Sequence, residues 1–167
     1  MSNNTYQVVF NQLPTSLEEL KALSEASLTQ PHYAAALLIP VLKLWPHNKD
    51  EAISMMNFLR GPDPLSTYAI QFISERLKGN EYIPDSYFLG SSPQNSYEPQ
   101  KPYTVVVYTM PNSFSEQGYA QFSLQSSGAD SPRPVKLRNK PSTGQWFITD
   151  QMLLAQIRVP VSSDPWA

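Results

Sequence analysis

HYAAALLIPVLKLW, residues 32–45, decides how the rest of this 167-residue chain must be arranged. Its apolar residues keep to no single face. A helix that is apolar nearly all round must be covered on every side, so this segment belongs in the middle of a helical bundle. Pro31, just before it, suits a first helical turn, where a missing N–H is no loss. Pro40 lies inside and removes the bond to the Ala36 carbonyl, so a kink is expected there. The apolar run is interrupted by Pro40 and Lys43 and is shorter than the roughly 20 residues that cross a bilayer.

Three flanking segments read as the covering helices. In PTSLEELKALSEAS, residues 14–27, Ser16 and Glu19 have the spacing of a capping box. Leu17, Leu20 and Leu28, with Leu23 or Ser24 between, form an apolar stripe. A third helix starts near Asn48 and stops at Gly61, with Ala52, Ile53, Met56 and Leu59 as its buried face. A fourth is bounded by Asp63 as N-cap, Pro64 at the first position and Gly79 past the end. Leu65, Ala69, Phe72, Ile73, Arg76 and Leu77 share one side of it. Links of three to five residues imply antiparallel neighbours.

Residues 80–102, NEYIPDSYFLGSSPQNSYEPQKP, carry four prolines, three tyrosines and little periodicity. Loops of this length inside a domain are uncommon, and so many aromatic rings argue against free disorder. The reading is a connector draped over the surface and held by its rings.

Beyond Pro102 the period changes to two. YTVVVYTM (103–110), YAQFSLQ (119–125), PVKLRN (134–139) and QWFITD (145–150) read as four consecutive short strands. They imply an antiparallel meander with one face buried under the helices. Tyr6–Phe10 is a candidate further strand, and residues 151–158 fit either a short helix or a fifth strand. The expected fold is therefore α+β. A helical layer (14–79) of about four helices, a connector (80–102) and an antiparallel sheet layer (103–167) of four to five strands form one domain, 1–167.

Composition narrows function mostly by exclusion. Apolar residues make up 41% of the chain, enough for a core, while charged residues are only 16% against a usual share of about 25%. A net charge of −2 supplies no global attraction for nucleic acid or anionic membrane. No cysteine is present, which removes thiolate chemistry and fits a cytoplasmic location. MSNNTYQVVFNQLP lacks the features of a signal peptide.

His32 and His47 flank one helix and stand roughly 20 Å apart at a rise of about 1.5 Å per residue, too far to share an ion. No nucleophile elbow and no phosphate loop occurs. Asp63, Asp85, Asp130, Asp150 and Asp164 sit at turns or caps. No catalytic, cofactor or metal residue is assigned, no cofactor is implied, and enzymatic activity is disfavoured.

Two groups remain as candidate binding residues. Tyr82, Tyr87, Phe88, Trp146 and Trp166 could serve as an interaction surface, and the first four could also line a pocket between helices and sheet. Arg133, Lys136, Arg138 and Lys140 concentrate basic charge in RPVKLRNKP, a solvated strand face or a nucleic-acid surface. Trp166 stands in VSSDPWA (161–167) after the apolar Val159, Pro160 and Val161. The tail is expected to fold back and bury the ring, which stabilises by roughly 2 kcal/mol; an exposed anchor for a partner is the other reading.

VKLRNKPSTGQWFI (135–148) is similar to the closing hairpin of the nuclear transport factor 2 superfamily. The likeness covers about fifteen residues, and four consecutive helices before the sheet depart from that family's order. The chain more widely resembles uncharacterised bacterial domains of unknown function in its helical first half, the pair VKLR and QWFI, and the ending IRVPVSSDPWA. That resemblance implies a bacterial intracellular setting and transfers no activity. The expected role is a non-catalytic module that binds a protein partner. A small-molecule binder or enzyme is the alternative, and a nucleic-acid binder is disfavoured.

Overall fold

In the computed structural model, which describes residues 4–167, the apolar segment forms helix α2, Pro31–Leu44, laid across a five-stranded sheet. Before it come strand β1 (Thr5–Phe10) and helix α1 (Leu17–Lys21), and after it α3 (Lys49–Arg60) and α4 (Thr67–Leu77). Strands β2 (Tyr103–Tyr108), β3 (Tyr119–Leu124), β4 (Arg133–Lys140) and β5 (Gln145–Gln151) follow. The sheet is antiparallel throughout, in the order β1-β2-β3-β4-β5. The fold is α+β, as the periodicities predict.

Helix α2 explains the arrangement. Residues Ala34 to Leu42 are all buried, and the helix touches all five strands on one side and α3 on another. It therefore lies between sheet and helices rather than inside a bundle. Its Leu37, Leu38, Ile39, Val41 and Leu42 are fully shielded, and each contributes roughly 1.5–3 kcal/mol by leaving water. The strands meet it with Val8, Phe10, Val105, Val107, Ala120, Phe122, Leu124, Val135, Leu137 and Ile148, all in the same core.

Local chemistry sets the helix ends. The Ser16 hydroxyl accepts from the Glu19 N–H at 3.0 Å, but the Glu19 carboxylate reaches Thr15 instead of closing the box. The helix it opens is only five residues long, and Leu28 adopts φ 61° beyond a 3-10 turn. Asn48 caps α3, whose buried face uses Met55 where the pattern suggested Ile53. Asp63 does not cap α4. The Leu65 N–H donates to Asn57 Oδ1 at 2.8 Å and Arg60 Nε donates to the Asp63 carbonyl, which holds 62–65 outside the helix. Ser66 caps instead, and only Ile73 and Leu77 of α4 are buried.

Tyr6–Phe10 does add a strand, β1, and it is the fifth of the sheet. Two further expectations are corrected. Residues 152–158 form neither helix nor strand, Gln151 being the last residue of β5. The connector 80–102 is not draped over the surface. Ile83, Tyr87, Phe88 and Tyr97 lie in the core. The cause is a gap in the sheet, because β2 pairs with β3 only at Val107–Leu124 and Tyr108–Ser123. The connector fills the gap. Phe88 forms a bridge to Val105, and the Leu89 N–H donates to the Thr104 carbonyl at 2.8 Å.

The connector also satisfies the backbone of the irregular segment. The hydroxyls of Tyr87, Tyr97 and Tyr82 donate to the carbonyls of Leu153, Arg158 and Ile157. Arg133 donates to those of Ala155 and Gln156. Buried carbonyls without a ladder partner must find another donor, and these side chains provide it. Tyr87→Phe leaves the Leu153 carbonyl without its donor and is expected to lower unfolding free energy by about 1–3 kcal/mol. Urea denaturation monitored by far-UV circular dichroism checks this.

Candidate functional site

The aromatic residues singled out in the sequence do not converge on a pocket. Tyr87 and Phe88 are core residues, with Phe88 packed on Tyr103 at 5.1 Å between ring centroids. Tyr82 is half-buried and stacks on Tyr97 at 5.5 Å. Trp146 sits against other elements: its backbone N–H donates to the Leu28 carbonyl at 2.7 Å, and its ring meets Phe114 edge-on at 6.2 Å. A hollow of about 60 Å³ beside Tyr87 and Phe88 is shared with Ser86, Ser91 and Ser127. It has room for a few waters and no larger ligand.

Trp166 does not close the core. Its side chain is 93% exposed. Residues Val161–Ser163 form a 3-10 turn, and Asp164 Oδ1 accepts the Trp166 N–H at 2.8 Å. Val159 and Val161 are themselves exposed, so no apolar shelf receives the ring.

The four basic residues divide. Arg133 is committed to carbonyls of the irregular segment. Lys136 pairs with Glu116 at 2.9 Å and lies over the Tyr119 ring; that carboxylate raises the lysine's pKa, and burial opposes the rise. Arg138 lies 5.6 Å from the same ring on the helix-free face of the sheet, opposite Phe147 on β5. Neither Arg138 nor Lys140 has a carboxylate partner among the described residues.

Arg138 and Lys140 share a cleft of about 360 Å³ with Arg60, Pro62, Asp63, Pro141 and Phe147. Sequence reasoning passed over Arg60 and Phe147. The link between α3 and α4 reaches around the edge of β5. Gly61 turns it with φ +64°, and a Cβ there would lie 2.5 Å from the Phe147 ring. Only glycine allows that approach at that φ. Arg60 fixes the link to the sheet edge: Nε donates to the Asp63 carbonyl at 2.9 Å and Nη1 to the Thr149 carbonyl at 3.4 Å. Its Nη2 stands 3.4 Å from Asp63 Oδ2.

Arg60 also borders a second cleft, of about 220 Å³, between α3, α4 and β5. Leu65, Tyr68, Phe72 and Ile73 supply its apolar wall, and Asp150 and Gln151 its polar one. Tyr68 is 79% exposed and Phe72 39%, with the Arg76 guanidinium 4.9 Å above the Phe72 ring. This second cleft forms a groove along β5, and Arg60 is the residue that it shares with the first.

The family model for a domain of unknown function, DUF6935, matches residues 12–161. The chain belongs to this family. No curated protein and no solved structure matches the chain. The DUF6935 match takes in the whole groove and the connector, whereas β1 and Trp166 lie outside the matched residues. No helix among the described residues is long and apolar enough to cross a membrane.

Trp166→Ala is expected to leave the melting temperature unchanged within about 1 °C, since an exposed side chain contributes little to stability; differential scanning calorimetry checks this. Burial pushes the Tyr97 hydroxyl up to about 12, helped by the neighbouring Tyr82. The folded state thus keeps a proton that the unfolded chain releases near 10. The stability it contributes is present below pH 10 and lost as pH rises through about 12. Thermal melts between pH 9 and 12 are expected to fall more gently for Tyr97→Phe than for the unsubstituted chain.

Proposed function

We propose that this DUF6935 chain is a non-catalytic binding module that holds an extended segment of another protein in the groove along β5. One observation carries the reading: Tyr68 and Phe72 stand exposed beside a groove whose other wall is the sheet edge. Aromatic side chains are enriched at interface hot spots, where burial by a partner recovers their hydrophobic free energy. The groove is preformed, because Arg60 and Gly61 hold its rim against β5. A rigid rim limits the ordering cost of association. The connector tyrosines serve the fold instead, since their hydroxyls are occupied by carbonyls.

Photo-crosslinking in cells of the native host tests this. Benzoylphenylalanine at position 72 is expected to give discrete protein adducts, and the same label at Gln121, on the helix-free face of the sheet, to give none. Tyr68→Ala is expected to reduce the adducts from position 72 at least about tenfold, the effect of losing roughly 1.4 kcal/mol, with an unchanged melting temperature. Equal adducts from positions 72 and 121, or no effect of Tyr68→Ala, overturns the reading.

A further inference from the structure

We infer that the cleft floored by Phe147, which adjoins the groove at Arg60, is an anion site that recognises an acidic group carried beside an aromatic ring on the bound segment. The inference rests on the protein-binding reading for the identity of the segment, and on the cleft's own groups for the chemistry. Three cationic side chains, Arg60, Arg138 and Lys140, face the single carboxylate of Asp63 across about 360 Å³. Asp63 is already matched with Arg60. Arg138 and Lys140 are therefore left with two uncompensated positive charges among the described residues, in a chain whose net charge is −2.

Charge complementarity follows from that contrast. The molecule as a whole repels an anion weakly, while this cleft attracts one, so binding is confined to it. Arg138 extends from β4 one residue before Asn139 and two before Lys140. Its guanidinium, a planar fork, lies 5.6 Å from the centre of the Tyr119 ring. Such a fork bonds a carboxylate or a phosphate through two parallel N–H groups. Lys140, exposed at the end of the strand, adds a point charge. Pro62, Pro141 and the half-buried Phe147 ring line the apolar part of the cleft. A flat ring packs there with gain from burial and from ring–ring contact.

Lys136 and Arg133, which the sequence groups with these two, belong to no such site. Lys136 is neutralised by Glu116 and Arg133 is spent on backbone carbonyls. The carboxylate of Glu or Asp and the phosphate of a modified tyrosine offer the same chemistry, and the probes separate them.

The test is a titration of the ¹⁵N-labelled full chain with three probes: acetyl-Phe-Glu-Glu-amide, acetyl-phosphotyrosine-amide and the neutral acetyl-Phe-Gln-Gln-amide. Saturable shifts confined to the amides of Arg138, Asn139, Lys140, Phe147 and Gly61 are expected with one or both acidic probes. Binding is expected to weaken at least about tenfold in the Arg138→Gln/Lys140→Gln variant, and to weaken with sodium chloride in the unsubstituted chain as exposed charges are screened. The salt series decides the matter should the variant fold poorly. Equal binding of the neutral probe, shifts scattered over the surface, or affinity indifferent to salt overturns the proposal. So does tighter binding of octathymidylate than of either acidic probe. Failure here with intact crosslinking from position 72 removes the anion site alone, while the reverse removes the protein partner.

Discussion

The one constraint on which the structure depends is that α2 has no face to offer water. A helix with a single apolar stripe can end a layer, whereas one buried all round must be enclosed. In this chain the enclosure is asymmetric, with the whole sheet on one side and α3 on another. The meander, with Phe88 of the connector filling the gap beside β2, supplies the apolar face because Val8, Val105, Phe122, Leu137 and Ile148 fall on the same side of the sheet. Among the described residues, the opposite face of the sheet carries no helix. Arg138 and Phe147 are opposite each other on that free face.

Much of this was readable in the sequence. The period of 3.6 gave way to a period of 2 after Pro102, and four of the five strands and the ends of α3 follow from that change and from Asn48 and Gly61. What was not readable depends on partners far away in the chain. Residues 152–158 carry no period because their carbonyls are met by Tyr82, Tyr87, Tyr97 and Arg133, side chains 22 to 75 residues earlier. The connector looked like a surface loop because prolines and serines dominate it. Its role in filling the gap beside β2 depends on a short β2–β3 pairing that no local pattern announces. The cap of α4 went to Ser66 rather than Asp63 for a nearer reason, since Asn57 and Arg60 at the end of α3 fix the link before it.

The candidate site was only half legible. Arg138 and Lys140 stood out as local charge, and the structure separates them from Arg133 and Lys136 by showing which cations are already paired. Arg60 and Phe147 lie 87 residues apart and meet only because Gly61 turns the α3–α4 link against β5. Tyr68 carried a signal that could have been used, as an aromatic outside the apolar stripe of its helix. Trp166 carried a stronger signal that pointed inward, and the apolar residues before it are themselves exposed. In the connector the hydroxyls are consumed by the fold, whereas the exposed rings of Tyr68 and Phe72 and the unpaired Arg138 and Lys140 border β5. A division of that kind, between polar groups spent on structure and others left free on a rigid rim, is the physical basis for locating function outside the core.

Native-state hydrogen exchange tests the central claim, that the sheet and the 80–102 connector close around α2 as one cooperative unit. Amides of α2, of β2 and of Phe88–Leu89 are expected to exchange at the same slow limit, set by global unfolding. Exchange of Leu89 at a rate orders of magnitude faster than that of Leu38 would contradict the account, because the connector would then be a surface strap and its tyrosines free to bind.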